Sequence, residues 1–336
     1  MDKRFLAMSD WLRKDLGKSF SRLVPASADA SFRRYFRLIS EGKRYIVMDA
    51  PPDREDSRPF VEIAKSMRGF GLNVPLVYEQ NLEKGFLLLS DLGEKDYLKV
   101  LNEGNADSLY ADAIDALLKM QQSGNENDLL LPAYDQTLLM SEMMLFHDWL
   151  LVEHLQLQIT DAEKSMLSNT FDLLTDNALA QPQVFVHRDY HSRNLMVCDN
   201  QTPGVLDFQD AVIGAISYDL VSLLRDCYVM WPREKVLKWQ EHYCRGAHER
   251  GLLSTEQLKQ FPRWFDLMGV QRHLKASGIF ARLHHRDGKG GYLADIPRTL
   301  NYIAEVTKEY EELKSLSDFV CQRVLTKLAV RAGSQG

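Results

Sequence analysis

Apolar residues at Phe5, Met8, Trp11, Leu12 and Leu16 recur at helical spacing, which predicts a short amphipathic helix within residues 1–17. Two strand-like runs follow at 35–39 and 45–48. The polar turn Ser40-Glu41-Gly42-Lys43 between them predicts a hairpin. Phe60, Ile63, Ala64, Met67 and Phe70 then share one helical face, and two further strands are expected at 75–78 and 86–89. After Ser90-Asp91-Leu92-Gly93 the pattern changes to long helices near 107–122, 136–155 and 161–179, the last opened by the capping box Thr160-Asp161-Ala162-Glu163. The shift places a boundary between residues 1–92 and 93–336. Inside the helical part lies one island of short apolar runs at 184–186, 195–198 and 205–208, joined by polar turns. From Tyr218 the chain reads as helical to its end, broken by a Gly-rich stretch at 287–291.

With 336 residues, 45% of them hydrophobic, the chain can bury a sizeable core. A formal net charge of −6, with scattered basic residues, gives no footprint for nucleic acid. Cys198, Cys227, Cys244 and Cys321 lie far apart without a CxxC pair, which argues against a zinc site or a disulfide framework and for a reducing cytoplasm. Charges at Asp2, Lys3, Arg4, Asp10 and Arg13 argue against a signal peptide. No apolar run approaches the roughly 18 residues of a membrane span. An obligate protein partner is not expected.

The strongest chemical signal is His187-Arg188-Asp189, with Asn194 five residues after Asp189 and Leu206-Asp207-Phe208 beginning 12 residues after Asn194. Phosphoryl transfer needs a carboxylate to orient the attacking hydroxyl and accept its proton, and oxygen ligands to hold Mg²⁺ against the nucleotide phosphates. Asp189, Asn194 and Asp207 are of the types that supply these.

This segment resembles the catalytic and metal-binding segments of the aminoglycoside phosphotransferase and choline kinase superfamily. His191, and the short path from Asp207-Phe208 to Ser217-Tyr218-Asp219-Leu220, resemble that superfamily more than protein kinases, whose Ala-Pro-Glu tripeptide does not follow Asp207. The resemblance implies an α+β, two-lobed protein-kinase-like fold. Residues 1–92 would form a nucleotide-binding lobe with an antiparallel sheet, and 93–336 a mainly helical lobe for catalysis and substrate. It implies ATP and Mg²⁺ as cofactors, Asp189 as base, Asn194 and Asp207 as metal ligands, and Leu89, Ser90 and Asp91 as the hinge that meets adenine.

Two features depart from the superfamily pattern. The Gly-rich phosphate loop is replaced by a segment carrying Ser31, Phe32, Arg33 and Arg34, which are expected to contact the nucleotide instead. Where a phosphate-contacting lysine is usual, the chain has Tyr45-Ile46-Val47-Met48-Asp49, which leaves Glu62 without its customary partner. Together with Ala-Ser-Phe-Arg-Arg-Tyr-Phe-Arg at 30–37, Met48-Asp49-Ala50-Pro51-Pro52 and Gln271-Arg272-His273-Leu274-Lys275, the departures resemble bacterial anomeric kinases of N-acetylmuramate and N-acetylglucosamine. That subfamily implies phosphorylation of the anomeric hydroxyl of an amino sugar. The six Lys/Arg between Arg272 and Arg298, against Asp287 and Asp295, suit a substrate with a carboxylate better than a polycationic one. His191, Arg193, Asp219, Arg272, Lys275 and Arg282 are the expected substrate contacts, with Asp219 alternatively bracing the catalytic loop. Competing readings are a kinase of another small alcohol (an aminoglycoside, choline or homoserine) and a nucleotide-binding pseudokinase.

Overall fold

The computed structural model describes residues 2–28, 32–126, 131–199 and 201–333. In chain order its first elements are α1 (Lys3–Asp10), β1 (Leu23–Ala28), β2 (Arg34–Ser40), β3 (Lys43–Asp49), α2 (Arg58–Gly69), β4 (Val77–Asn81), β5 (Phe86–Ser90) and α3 (Tyr97–Val100). Then come α4 (Ala106–Glu126), α5 (Gln136–Leu145), α6 (Asp161–Leu179), β6 (Gln183–Val186), β7 (Leu195–Met196), β8 (Gly204–Val205) and β9 (Val212–Ala215). The chain continues through α7 (Tyr218–Leu224), α8 (Arg233–Glu249), α9 (Thr255–Asp287), α10 (Ile296–Thr307), α11 (Lys314–Phe319) and α12 (Thr326–Gly333). No helix among the described residues is long and apolar enough to cross a membrane.

Two compact units result, one of residues 1–100 with 194–210, the other of 101–193 with 211–336. The contiguous division at 92/93 read from composition differs from this packing. Residues 93–100 and 194–210 pack with the first unit because Val197 N–H donates to Lys95 O (2.8 Å) and Val205 N–H to Asn73 O (2.8 Å).

The first unit is built on an antiparallel sheet in the order β1-β2-β3-β5-β4. Its β2–β3 turn places Glu41 and Gly42 at φ 53° and 73°, the positive pair that a two-residue type I′ hairpin needs. Pro25 hid β1 in the sequence. The strand tolerates it because β1 is an edge strand whose register shifts between Pro25 and Ser27. One sheet face, carrying Phe36, Leu38, Tyr45, Val47, Phe86 and Leu88, packs on Met8, Trp11 and Leu12 of the N-terminal helix. Alternation along β3 puts Asp49 on that same face as Tyr45 and Val47. There the buried carboxylate accepts Arg4 Nε at 2.9 Å and Arg34 Nε at 3.0 Å. A buried carboxylate survives in an apolar layer only with such partners.

The second unit is mainly helical, and the expected capping box of α6 is present at Thr160 and Glu163. The helix expected over 136–155 continues α5 as a π-helical segment, Phe146–His154. β9, missed in the sequence, pairs antiparallel with β6. The 33-residue α9 is buried along much of its length. It meets the junction of α5 and the π segment at Gly278, where an added Cβ would lie 2.3 Å from Leu145 C and 2.5 Å from Phe146 N. Only glycine allows this approach, since both neighbours are backbone.

Gly278→Ala is therefore expected to lower the urea midpoint, with a loss of about 1–3 kcal/mol. A midpoint equal to wild type would show that the crossing is looser than its geometry. On the same helix, His273 Nε2 donates to Arg225 O at 2.9 Å and its ring stacks on Tyr302 at 4.8 Å. Burial, reinforced by Arg272, pushes its pKa down from 6.5 to about 3. Between these values the unfolded chain takes up a proton that the folded chain refuses, so this histidine's contribution is present above about pH 6.5 and is lost on acidification. Relative to His273→Gln, the wild type should lose up to about 1.4 kcal/mol per pH unit below pH 6.5. Parallel stability curves for the two proteins between pH 7 and 5 would refute this.

Candidate active site

The motif of the sequence straddles the two units, with Asp189 in the second and Asn194 and Asp207 in the first. In the second unit, β6 runs into His187, and Arg188 follows at φ 76°, a left-handed backbone that a side-chain-bearing residue adopts only where its surroundings impose it. What imposes it is Asp219 in the first turn of α7. Its buried carboxylate accepts the N–H groups of His187 (2.6 Å) and Arg188 (3.0 Å), while burial pushes its pKa up to about 7. Asp226 holds the far side of the loop, accepting Ser192 N–H at 3.0 Å and Tyr228 N–H at 3.0 Å. Tyr190 Oη donates to Ala113 O at 2.8 Å beneath it. Asp189 therefore projects from a fixed backbone.

Asp189 opens into a cavity of about 80 Å³ whose wall includes His191, Tyr218, Tyr228, Arg272, Lys275 and Phe280. Burial alone would raise the Asp189 carboxyl. The fixed cations Lys275, Arg272 and Arg188 outweigh it and hold the group below the usual carboxylate range. Burial lowers His191, which keeps its ring neutral near pH 7. Lys275 and Arg272 stay protonated although buried, Lys275 because Glu142 and Tyr218 face it and Arg272 because Cys227, Tyr218, Asp189 and Asp226 do. The chemistry available here is an ionised carboxylate beside a neutral imidazole and two fixed cations.

Of the six expected substrate contacts, three line this cavity: His191, Arg272 and Lys275. Arg193 is exposed and sits over the rings of Tyr228 (4.8 Å) and Tyr292 (5.2 Å). Arg282 is half-buried and outside the cavity wall. Asp219 is engaged with the loop backbone instead of the cavity. Glu142 on α5 was not picked out from the sequence, yet its carboxylate takes Lys275 Nζ at 2.9 Å. The available signal was an acid inside the apolar pattern of 136–155.

In the first unit, the β7–β8 pairing sets Asn194 and Asp207 at the two roots of one hairpin, with Leu206 N–H donating to Asn194 O at 2.9 Å. Asp207 has φ 64°, the second strained position of the motif. Asn194 Nδ2 reaches Asp207 Oδ2 at 3.3 Å, and Gln209 Nε2 donates to Asp207 Oδ1 at 2.9 Å. Gln209 Oε1 is buried without a hydrogen-bond donor among the described residues. An orphaned acceptor beside a carboxylate and a second amide makes an all-oxygen donor set, which fits a hard divalent cation. Gln209 was missed in the sequence, where only its place two residues past Asp207 pointed to it. Among the described residues there is no cluster of three His, Cys, Asp or Glu, so the donor set here rests on one carboxylate and two side-chain amides.

Of the expected nucleotide contacts, Ser31 lies outside the described residues. Phe32 gives its N–H to Glu55 Oε1 at 3.2 Å, and Arg33, buried, forms an ion pair with the same carboxylate at 2.8 Å. Arg34 points to the other sheet face, where Asp49 and Asp2 hold it. Leu89 is buried in β5, and Ser90 N–H donates to Leu76 O at 2.9 Å. The Asp91 carboxylate pairs with Arg37 (2.6 Å) and Arg44 (3.0 Å). Asp49 faces the N-terminal helix, where Arg4 and Arg34 pair with its carboxylate.

The chain matches the phosphotransferase enzyme family over residues 22–258. It is 46% identical over 331 residues to an N-acetylmuramate/N-acetylglucosamine kinase of Pseudomonas putida, covering 96% of this chain and 97% of that protein. A protein of the same name from Neisseria meningitidis is 41% identical, with 94% of each chain covered. Among solved structures, the aminoglycoside phosphotransferase APH(2'')-Ib with bound ADP superposes with a TM-score of 0.58 at 18% identity, covering 91% of this chain and 99% of that one. Choline kinase LicA from Streptococcus pneumoniae gives 0.63 at 12% identity, covering 90% and 100%. These two likenesses show the two-lobed α+β fold, and together the family match and the identities establish that the chain belongs to the phosphotransferase enzyme family.

Proposed function

We propose that this protein is an ATP-dependent kinase that phosphorylates the anomeric hydroxyl of N-acetylmuramate and N-acetylglucosamine, yielding the sugar 1-phosphate in the cytoplasm. The observation that carries the reading is the ionised Asp189 in a cavity walled by Arg272, Lys275 and neutral His191. A pocket with two buried cations repels polycationic acceptors and suits a neutral or carboxylate-bearing sugar. The names of the relatives at 41–46% identity favour the same acceptors. The four free thiols suit a reducing compartment.

The acceptor side belongs to the second unit and the nucleotide side to the first. Asp189 orients the acceptor hydroxyl and takes its proton. The new O–P bond forms as the bond between the γ-phosphorus and the ADP oxygen breaks. An anomeric hydroxyl is more acidic than other sugar hydroxyls because the ring oxygen stabilises developing negative charge, so one aspartate of low pKa suffices. His191 and Arg272 face the sugar. Asn194, Asp207 and Gln209 would hold Mg²⁺, which when bound neutralises charge on the nucleotide phosphates. Arg33, fixed by Glu55, takes the part of the missing lysine toward those phosphates, and main-chain groups of the Leu89–Asp91 segment meet the adenine edge.

Phosphorus NMR of the product tests the reading. A resonance coupled to the anomeric proton is expected, and one coupled to C6 methylene protons would sink it. Asp189→Asn should lower kcat by about 10³-fold with the KM for ATP within about twofold, because shape is kept and the proton acceptor is lost. Near wild-type turnover would end its role as base. Arg33→Gln should raise the KM for ATP by about tenfold and leave that for the sugar alone. Equal changes in both would assign Arg33 to folding.

A further inference from the structure

Glu142 lies on α5, far in sequence from every motif, and its side chain is buried. Three groups converge on its carboxylate: Lys275 Nζ at 2.9 Å from α9, the Arg188 guanidinium from the catalytic loop, and the Tyr134 hydroxyl. Lys275 also donates to Tyr218 Oη at 2.9 Å, so its ammonium is held from two sides while it lines the cavity beside Asp189. The other cation of the wall is differently placed. Arg272 has no carboxylate in hydrogen-bond contact among the described residues: it donates to Cys227 Sγ at 3.8 Å, lies over the Tyr218 ring at 6.0 Å, and its Nε has no acceptor.

From this asymmetry we infer that Glu142 is a positioning residue for phosphoryl transfer: it anchors and neutralises Lys275 so that this ammonium serves Asp189, leaving Arg272 as the cation that meets an anionic substituent of the acceptor. A lysine without Glu142 would be drawn to Asp189, the other acid whose charge it feels across the cavity, and bind the base that must stay available to the hydroxyl. Arg272, by contrast, presents a planar fork suited to a carboxylate. Arg188 shares Glu142, so the same contact that steadies Lys275 also steadies the residue preceding Asp189. The assignment of Arg272 rests on the sugar-kinase reading above, whereas the coupling of Glu142 to Lys275 does not.

A double-mutant cycle on Glu142→Gln and Lys275→Met, with turnover and thermal melting measured for each protein, tests the inference. Each single variant should lower kcat by about 10–100-fold with the sugar KM changed less than about threefold, and the double variant should match Lys275→Met within about twofold because the two act as one unit. Arg272→Met should instead raise the KM for N-acetylmuramate about tenfold more than that for N-acetylglucosamine, which lacks the carboxylate. Multiplying effects in the cycle, or a sugar-selective KM change in Lys275→Met, would overturn the division of roles. The double variant removes one charge of each sign, so it keeps the buried balance that Glu142→Gln upsets. If it too fails to fold, the pair belongs to the core and the inference is wrong. Should the wild type accept only a different alcohol, the sugar reading fails, and the cycle run with that alcohol still decides the role of Glu142.

Discussion

The buried ion pair between Lys275 and Glu142 is the contact on which the wall of the Asp189 cavity depends. Neither charge is stable alone in the interior, so each fixes where the other's helix can lie. Gly278, less than one helical turn beyond Lys275, removes the side chain that would keep α9 away from α5, and the pair closes at 2.9 Å. Packing and electrostatics are thus one arrangement. The small residue permits the approach, and the approach makes a buried ammonium tolerable beside Asp189.

A related economy of charge runs through the loop itself. Asp219 and Asp226 are acids near Asp189, and both are occupied by backbone N–H groups. They hold the loop while Asp189 alone opens into the cavity. Two of the residues with left-handed backbone, Arg188 and Asp207, occur where the chain must turn a motif side chain out of regular structure, one in each unit. Strain of this kind persists only where neighbours over-determine it, as the paired amide contacts of Asp219 do for Arg188.

Much of this was legible in the sequence, for physical reasons that also mark where it was not. Amphipathic periods located most helices and the β2–β3 hairpin because burial of one face dictates them. The loop that carries Asp189 and the hairpin that brings Asn194 to Asp207 were legible because a short motif with fixed spacing stands out between apolar runs. β1 was hidden by Pro25, which reads as a strand breaker unless the strand is known to lie at an edge. Glu142 was hidden because its partners Arg188 and Lys275 are remote in the chain, and a lone acid in an apolar helix carries no record of what faces it. Gln209 was hidden because an amide two residues from Asp207 is ordinary until its oxygen is seen buried without a donor.

Asp49 shows how a departure from a family pattern can mislead when it is read as a replacement in place. From the sequence it looked like an anion standing where a cation should meet phosphate. Strand alternation puts it instead on the face shared with Tyr45 and Val47, against the N-terminal helix, where Arg4 and Arg34 neutralise it. Arg34 is thereby turned to the opposite sheet face from its neighbour Arg33, which pairs with Glu55. Helix α1 and β3 are joined by a charge contact as well as by the apolar layer of Met8, Trp11 and Leu12. A substitution of Asp49 by lysine would not restore the familiar kinase arrangement. It would place a third cation between two arginines in a buried layer, and like charges there repel strongly because little water is present to screen them.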